Sequence, residues 1–150
     1  MPRILAVDWG ERRIGLAVCD PTGTIASGLE TLVVRGAAEG PAKVATVAAE
    51  LEADSIVVGM PLLLSGERGA AAQAAELFAD RVREASGLPV HTYDERLTSA
   101  MATRRMHERG ERARSRKGRV DQGAAVALLE SWLARLDADR RRQREREGGT

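Results

Sequence analysis

Ser55-Ile56-Val57-Val58-Gly59-Met60 is an apolar run broken by no charged residue. A strand that faces water on one side alternates polar and apolar residues. A strand without that alternation is covered on both faces, as in a parallel or mixed sheet with helices above and below. The flanking segments supply the helices. Val44, Val47, Ala48 and Leu51 recur at helical spacing between Pro41 and Ala53. Ala71, Ala74, Ala75, Leu77, Phe78 and Val82 do the same between Ala70 and Ala85, with Gly87 placed to end the helix. Pro89-Val90-His91-Thr92-Tyr93 then reads as a further strand, which completes a βαβ crossover.

The N-terminal third has a different pattern. Arg3–Val7, Ile14–Cys19 and Ile25–Val34 are three short apolar runs joined by turn formers, including Asp20-Pro21-Thr22-Gly23. Three successive strands with short turns predict an antiparallel meander. Beyond Tyr93 the spacing predicts a helix from Leu97 to about Arg109, a glycine-bounded basic loop from Gly110 to Gly118, and a long helix from Val120 to about Ala138. The order β-β-β-α-β-α-β-α-α predicts an α/β fold: a five-stranded mixed sheet, three strands in an antiparallel meander plus parallel strands, flanked by helices. That is the ribonuclease H-like architecture. We expect one domain over residues 1–138. Residues 139–150 are charged and carry few apolar side chains, so we expect a disordered tail.

Composition narrows the setting. Of 150 residues 43% are hydrophobic, enough for a core, and the formal net charge is only +1. No global field marks a partner, so the argument rests on where charges sit. One cysteine excludes an internal disulfide and suits a reducing compartment. No apolar run approaches the ~20 residues that span a bilayer, and the N-terminus lacks a signal-peptide pattern. We therefore expect a cytoplasmic protein without a membrane partner. All but two of the 23 basic residues are arginines, an excess that GC-rich coding bias also produces.

Three acids stand where chemistry gathers. Asp8 ends the first strand and Glu95 follows the last by two positions. Binding sites in open α/β sheets lie at the carboxyl ends of strands. Either acid alone also reads as a solvated turn residue. Asp121 leads a stripe with Ala125, Leu128, Leu129, Trp132 and Leu136, the face that must pack on the sheet. An acid there is costly unless paired, bonded or metal-bound, although an N-cap would also explain it. Three carboxylates at one rim repel unless a cation lies between them. Oxygen donors suit Mg²⁺ or Mn²⁺, and a pair of such ions is the apparatus of in-line phosphodiester cleavage. Cys19, His91 and His107 lack the spacing of a zinc site, and no nucleophile elbow supports a serine triad.

At this point the residues resemble the YqgF/RuvX family, described as candidate pre-16S rRNA nucleases and Holliday-junction-resolvase-like proteins. The carriers are Ala6-Val7-Asp8-Trp9-Gly10 with Arg13–Val18; Ile56–Pro61 with Gly66 and Gly69; Tyr93-Asp94-Glu95-Arg96-Leu97-Thr98-Ser99; and Val120–Ala125. The resemblance spans about Ile4 to Leu136. It implies a ribonuclease H-like fold and a metal-dependent nuclease whose acids map onto Asp8, Glu95 and Asp121, as catalytic residues and metal ligands. Asp94 is a substitute or helper for Glu95. It also implies trimming of the 5′ end of precursor 16S rRNA in ribosome biogenesis; the alternatives are resolution of branched DNA junctions in recombination and repair, or binding without turnover. Two departures stand out. Glu11 and Arg12 replace a small hydroxyl residue and a lysine, and Leu62-Leu63-Leu64 occupies a stretch that is often polar.

Between Arg104 and Arg119 eight basic residues face two acidic ones, just before Asp121. The candidate nucleic-acid contacts are Arg12, Arg96, Arg112, Arg114, Arg116, Lys117 and Arg119. The partner is precursor rRNA or branched DNA. Two symmetric cuts in a junction favour a homodimer. Trp9 is placed either to stack on a base or to cap the core, and Cys19 reads as a buried thiol. The Asp8-x-Gly10 turn also resembles the phosphate loop of actin-like ATPases, but such enzymes need two domains of this kind.

Overall fold

The computed structural model describes residues 3–36, 38–60, 69–94 and 117–148, the last stretch by its backbone alone up to residue 122. In chain order the elements are β1 (Ile4–Asp8), β2 (Arg13–Cys19), β3 (Ala26–Gly28), β4 (Leu32–Val33), α1 (Glu39–Glu50), β5 (Ser55–Met60), α2 (Ala70–Ser86) and β6 (Val90–Asp94). A final helix, α3, runs from Lys117 to Gly148. The sheet has the order β3-β2-β1-β5-β6, with β4 also paired to β2. Strands β1, β2 and β3 are antiparallel, whereas β1, β5 and β6 are parallel. The mixed α/β sheet flanked by helices is as expected. It has six strands rather than five.

The sixth strand comes from a break in the third predicted one. Leu29 and Leu32 both pack against the same apolar cluster. They are three residues apart, and a regular strand sends such positions to opposite faces. The chain therefore leaves the ladder after Gly28 and rejoins β2 at Leu32, opposite Ile14.

Two cores lie on the two faces of the sheet. On one, Leu5, Val7, Ile56, Val58 and Val90 pack with Val44 of α1 and Phe78 and Val82 of α2. On the other, Ile4, Ala6, Ala17, Cys19, Val57 and Tyr93 pack with Ala125, Leu128 and Leu129 of α3. This alternation fixes where each strand residue points. Helix α2 buries Ala72, Ala75, Phe78, Ala79 and Val82, so its inner face is rotated from the predicted one and Leu77 is 52% exposed. Gly87 ends α2 in the left-handed conformation, φ 70°, as its position predicts.

Helix α3 departs from expectation at both ends. It begins at Lys117, inside the predicted loop. At the other end α3 continues through Gly148, in place of a disordered tail from residue 139. Arginine, glutamine and glutamate are good helix formers, and Arg141–Asp137 forms an i,i+4 pair at 3.0 Å. Residues 141–148 are exposed, so local propensity rather than packing carries this extension. Among the described residues no helix is long and apolar enough to cross a membrane.

Candidate active site

Asp8 is the last residue of β1 and is half-buried. It pairs with Gly15 of β2 in the antiparallel ladder. Alternation along β1 places it with Ile4 and Ala6, on the face covered by α3. The turn that follows is tight. A side chain at Gly10 would bring a Cβ within 2.6 Å of the Arg13 carbonyl oxygen, so only glycine closes it without displacing backbone. The Arg12 carbonyl then accepts from the Val34 N–H at 2.9 Å. Arg12 itself is exposed beside this turn.

Strand β6 ends at Asp94 on the same carboxyl edge. The register pairs Val7 with Val58, Gly59 with Tyr93 and Met60 with Asp94. Asp8 is thus level with Gly59 and Tyr93, with Tyr93 two strands or about 10 Å away. Gly59 lies between them on the α3 face, sharing the parity of Val57, and presents no side chain. Tyr93 faces α3 whereas Val90 faces the other core, so Asp94, of Val90's parity, points away from the face of Asp8.

Helix α3 crosses this face with a defined direction. Leu133, Leu136 and Asp137 line a cavity of about 400 Å³ together with Ile4, at the amino end of β1. Following α3 back from Leu133 to residue 121 covers about 18 Å. Following β1 from Ile4 to Asp8 covers about 13 Å in the same direction. The amino end of α3 is therefore directed to the edge where β1 ends. Residue 121 is the fifth of the helix, so Asp121 is not its N-cap. Lys117 and Arg119 stand in the first turn. Glu95, Arg96, Arg112, Arg114 and Arg116 lie outside the described residues, as does the predicted helix from Leu97 to Arg109.

Other candidates resolve into structural roles. Trp9 is packed against Phe78, ring centroids 6.0 Å apart, and caps the core rather than offering a free stacking face. Cys19 is buried, and its Sγ accepts from the Ile4 N–H at 3.1 Å. His91 stacks on Trp132 at 5.4 Å. Neither soft donor is near the carboxyl end of β1. Among the described residues no three metal-ligating side chains cluster. The His91–Trp132 pair is absent from the sequence-derived candidates; its one sequence signal is that positions 91 and 93 share a strand face.

The sequence model of one family, described as "RuvX: Holliday junction resolvase", matches residues 2–135. The chain belongs to the RuvX family. A relative from Anaeromyxobacter dehalogenans (strain 2CP-C), named "Putative pre-16S rRNA nuclease", is 45% identical over 133 residues, which cover 89% of this chain and 97% of the relative. One of the same name from Koribacter versatilis is 42% identical over 138 residues, covering 92% and 90%. Among solved structures, Thermus thermophilus RuvC in complex with a Holliday junction substrate superposes with a TM-score of 0.59 at 19% identity, covering 91% of this chain and 96% of that one. The fowlpox virus resolvase in complex with junction DNA gives 0.53 at 12% identity, covering 89% and 98%. These structural likenesses establish the ribonuclease H-like fold. Family membership makes this RuvX protein a nuclease, a hydrolase of phosphodiester bonds.

Proposed function

We propose that this RuvX protein is a divalent-metal-dependent nuclease that processes the 5′ end of precursor 16S rRNA in the cytoplasm, and that residues 1–138 are its nuclease unit. The observation that carries the reading is the convergence of two independent chain directions. Strand β1 delivers Asp8 to the carboxyl edge on the α3 face, and α3 points its amino end, where residue 121 stands, at that edge. Residue 121 is the fifth of the helix, so the cap does not account for an acid there. The turn of parity that sends Asp94 to the other face favours Glu95 as the third acid. Asp8, Glu95 and Asp121 offer oxygen donors only, which fits Mg²⁺ or Mn²⁺ and not zinc. When bound, such ions activate water and stabilise the departing oxygen. Strand β1 holds Asp8 at the sheet edge, and Gly59 on the neighbouring strand leaves the space beside it without a side chain.

Substrate contact falls to the basic residues. Lys117 and Arg119 stand at the amino end of the described part of α3. Arg12 is exposed beside Asp8. Arg96, Arg112, Arg114 and Arg116 complete the proposed set. Replacing Arg112, Arg114, Arg116 and Lys117 together should flatten the log–log salt dependence of binding by about 3 to 4. An unchanged slope removes this segment from the interface.

The names of the relatives support RNA as the first reading of the substrate. The family description supports branched DNA as the second, and that reading calls for a homodimer making paired cuts. The deciding experiment compares cleavage of precursor 16S rRNA, linear RNA and four-way DNA junctions, with Mg²⁺ and with Mn²⁺. Cleavage of the precursor at its 5′ end, lost in Asp8→Asn and Asp121→Asn, is expected. Turnover that survives both substitutions would place the site elsewhere, and binding without cleavage by the wild type would leave only a nucleic-acid-binding module.

A further inference from the structure

Three rings and a guanidinium gather where β6 meets α3. The His91 imidazole lies over the Trp132 indole, centroids 5.4 Å apart and planes 29° from parallel. Tyr93 meets the same indole edge-on at 5.4 Å. The Arg135 guanidinium sits 5.8 Å from the Tyr93 ring centre, and the Tyr93 hydroxyl is 2.9 Å from Ser131 Oγ. The whole chain has only two tryptophans, one tyrosine and one phenylalanine, so half its aromatic residues are in this patch.

Sealing the core explains Tyr93, which is 6% exposed, and Trp132, which packs on the cluster beneath α3. It does not explain the outer pair. His91 and Arg135 are both exposed, and Arg135 is in no ion pair among the described residues. An exposed ring held flat on an indole, with a cation alongside, has the chemistry that stacks an unpaired base and meets its phosphate.

We propose that this patch is a stacking platform for one unpaired nucleotide of the substrate, with the base on His91 and a backbone phosphate on Arg135. The inference rests on the nuclease reading above and deepens it, because it specifies a single-stranded segment next to the cut. Position supports this. Tyr93 is level with Asp8 at two strands' distance, and His91 lies two residues back along β6 on the same face. That sets the platform about 12 Å from Asp8. A strand whose scissile phosphate is held at Asp8 therefore passes the platform within its neighbouring nucleotides. Bases in a continuous duplex are already stacked on one another and have no free face to offer.

Trp132 is its own reporter. In a Trp9→Phe background it is the sole tryptophan, and its emission is followed while adding ten-nucleotide oligoadenylate, as RNA or as DNA, or a blunt duplex, all in EDTA so that nothing is cut. Both single strands should quench Trp132, and the duplex should not. His91→Ala should weaken single-strand binding about 5- to 100-fold, and His91→Phe should restore it. Quenching by only one of the two strands keeps the platform and identifies its sugar preference. Single strands that bind by anisotropy without altering the emission overturn the platform, as does His91→Ala binding like wild type or an absence of single-strand binding. Cleavage assays on the wild type and on His91→Ala, both with Trp9 retained, separate the two readings. Cleavage with unchanged emission removes the platform alone, and stacking without cleavage in Mg²⁺ or Mn²⁺ removes the catalytic assignment alone.

Discussion

Asp8 and Asp20 close adjacent antiparallel strands at opposite edges of the sheet, and their turns are built by different means. The Asp20 carboxylate organises its own loop. It accepts the backbone N–H groups of Thr24 and Ile25, each at 2.8 Å, and the Thr22 hydroxyl. The turn after Asp8 closes through backbone, by the approach of Gly10 to Arg13 and the hydrogen bond from Val34 to the Arg12 carbonyl. A strand-end acid is a structural part where the N–H groups of its loop converge on it. Where glycine and backbone make the turn, as after Asp8, the carboxylate is not what bends the chain.

The sharpest way to break this comparison is Asp8→Asn. The substitution is nearly isosteric and the turn is closed by backbone, so the fold should persist while cleavage falls by about 10³-fold or more, the scale of lost metal-centred charge stabilisation. Asp94→Asn, on the opposite face, should cost far less activity. Equal losses from the two would overturn the parity assignment.

The next effect concerns what holds the Asp8 turn in place. Trp9 leans on Phe78, which is 5% exposed and belongs to the larger core. Phe78→Ala should destabilise the fold by about 3–5 kcal/mol in denaturant titration, through lost transfer energy and a cavity. It should also lower activity at temperatures where the protein remains folded, because the residue after Asp8 loses its support. A variant that is destabilised yet fully active would separate the turn from the core.

How much of this was legible in the sequence follows from the same physics. The apolar runs of β1, β2 and β5 read directly because both faces are covered, and Gly87 read as a helix end because a left-handed residue is needed there. The break between β3 and β4 did not, since it depends on two leucines finding one core. The inner face of α2 was misjudged because alanines fill both sides of that helix, leaving periodicity little contrast. The extension of α3 is not legible from hydrophobic pattern, because arginine and glutamate sustain a helix without burial. At the proposed site, the place of Asp8 at a strand end is legible as a strand boundary, and Asp121 is proposed from its position on an apolar stripe of the sequence. The His91–Trp132 stack was not, because it joins residues from distant elements and neither belongs to a motif.

A smaller effect tests the core beneath α3. Tyr93 places its hydroxyl 2.9 Å from Ser131 Oγ, a side-chain hydrogen bond between β6 and the last helix. Tyr93→Phe should cost about 1 kcal/mol by denaturant titration, the worth of one part-buried hydrogen bond. The same substitution leaves the ring against Trp132, so oligonucleotide quenching should persist. Loss of quenching would show that the hydroxyl, and not the ring, sets the platform.

The smallest effect returns to Asp20. Its hydrogen bond from Thr22, with those from Ile25 and Thr24, lowers its pKa to about 2 from the ordinary 3.8. A folded-state pKa below the unfolded one means that the ionised carboxylate stabilises the fold. That contribution is complete above pH 3.8 and is lost as pH falls through 2. A carboxyl titration followed by NMR should show the Asp20 midpoint near 2. In Asp20→Asn the stability profile should be flatter across that window, with cleavage at neutral pH unchanged, since the loop lies at the edge opposite Asp8. A midpoint near the ordinary value would mean that the loop does not hold the carboxylate in solution. A loss of cleavage would mean that the two edges communicate, and the division of labour between the two aspartates would fail.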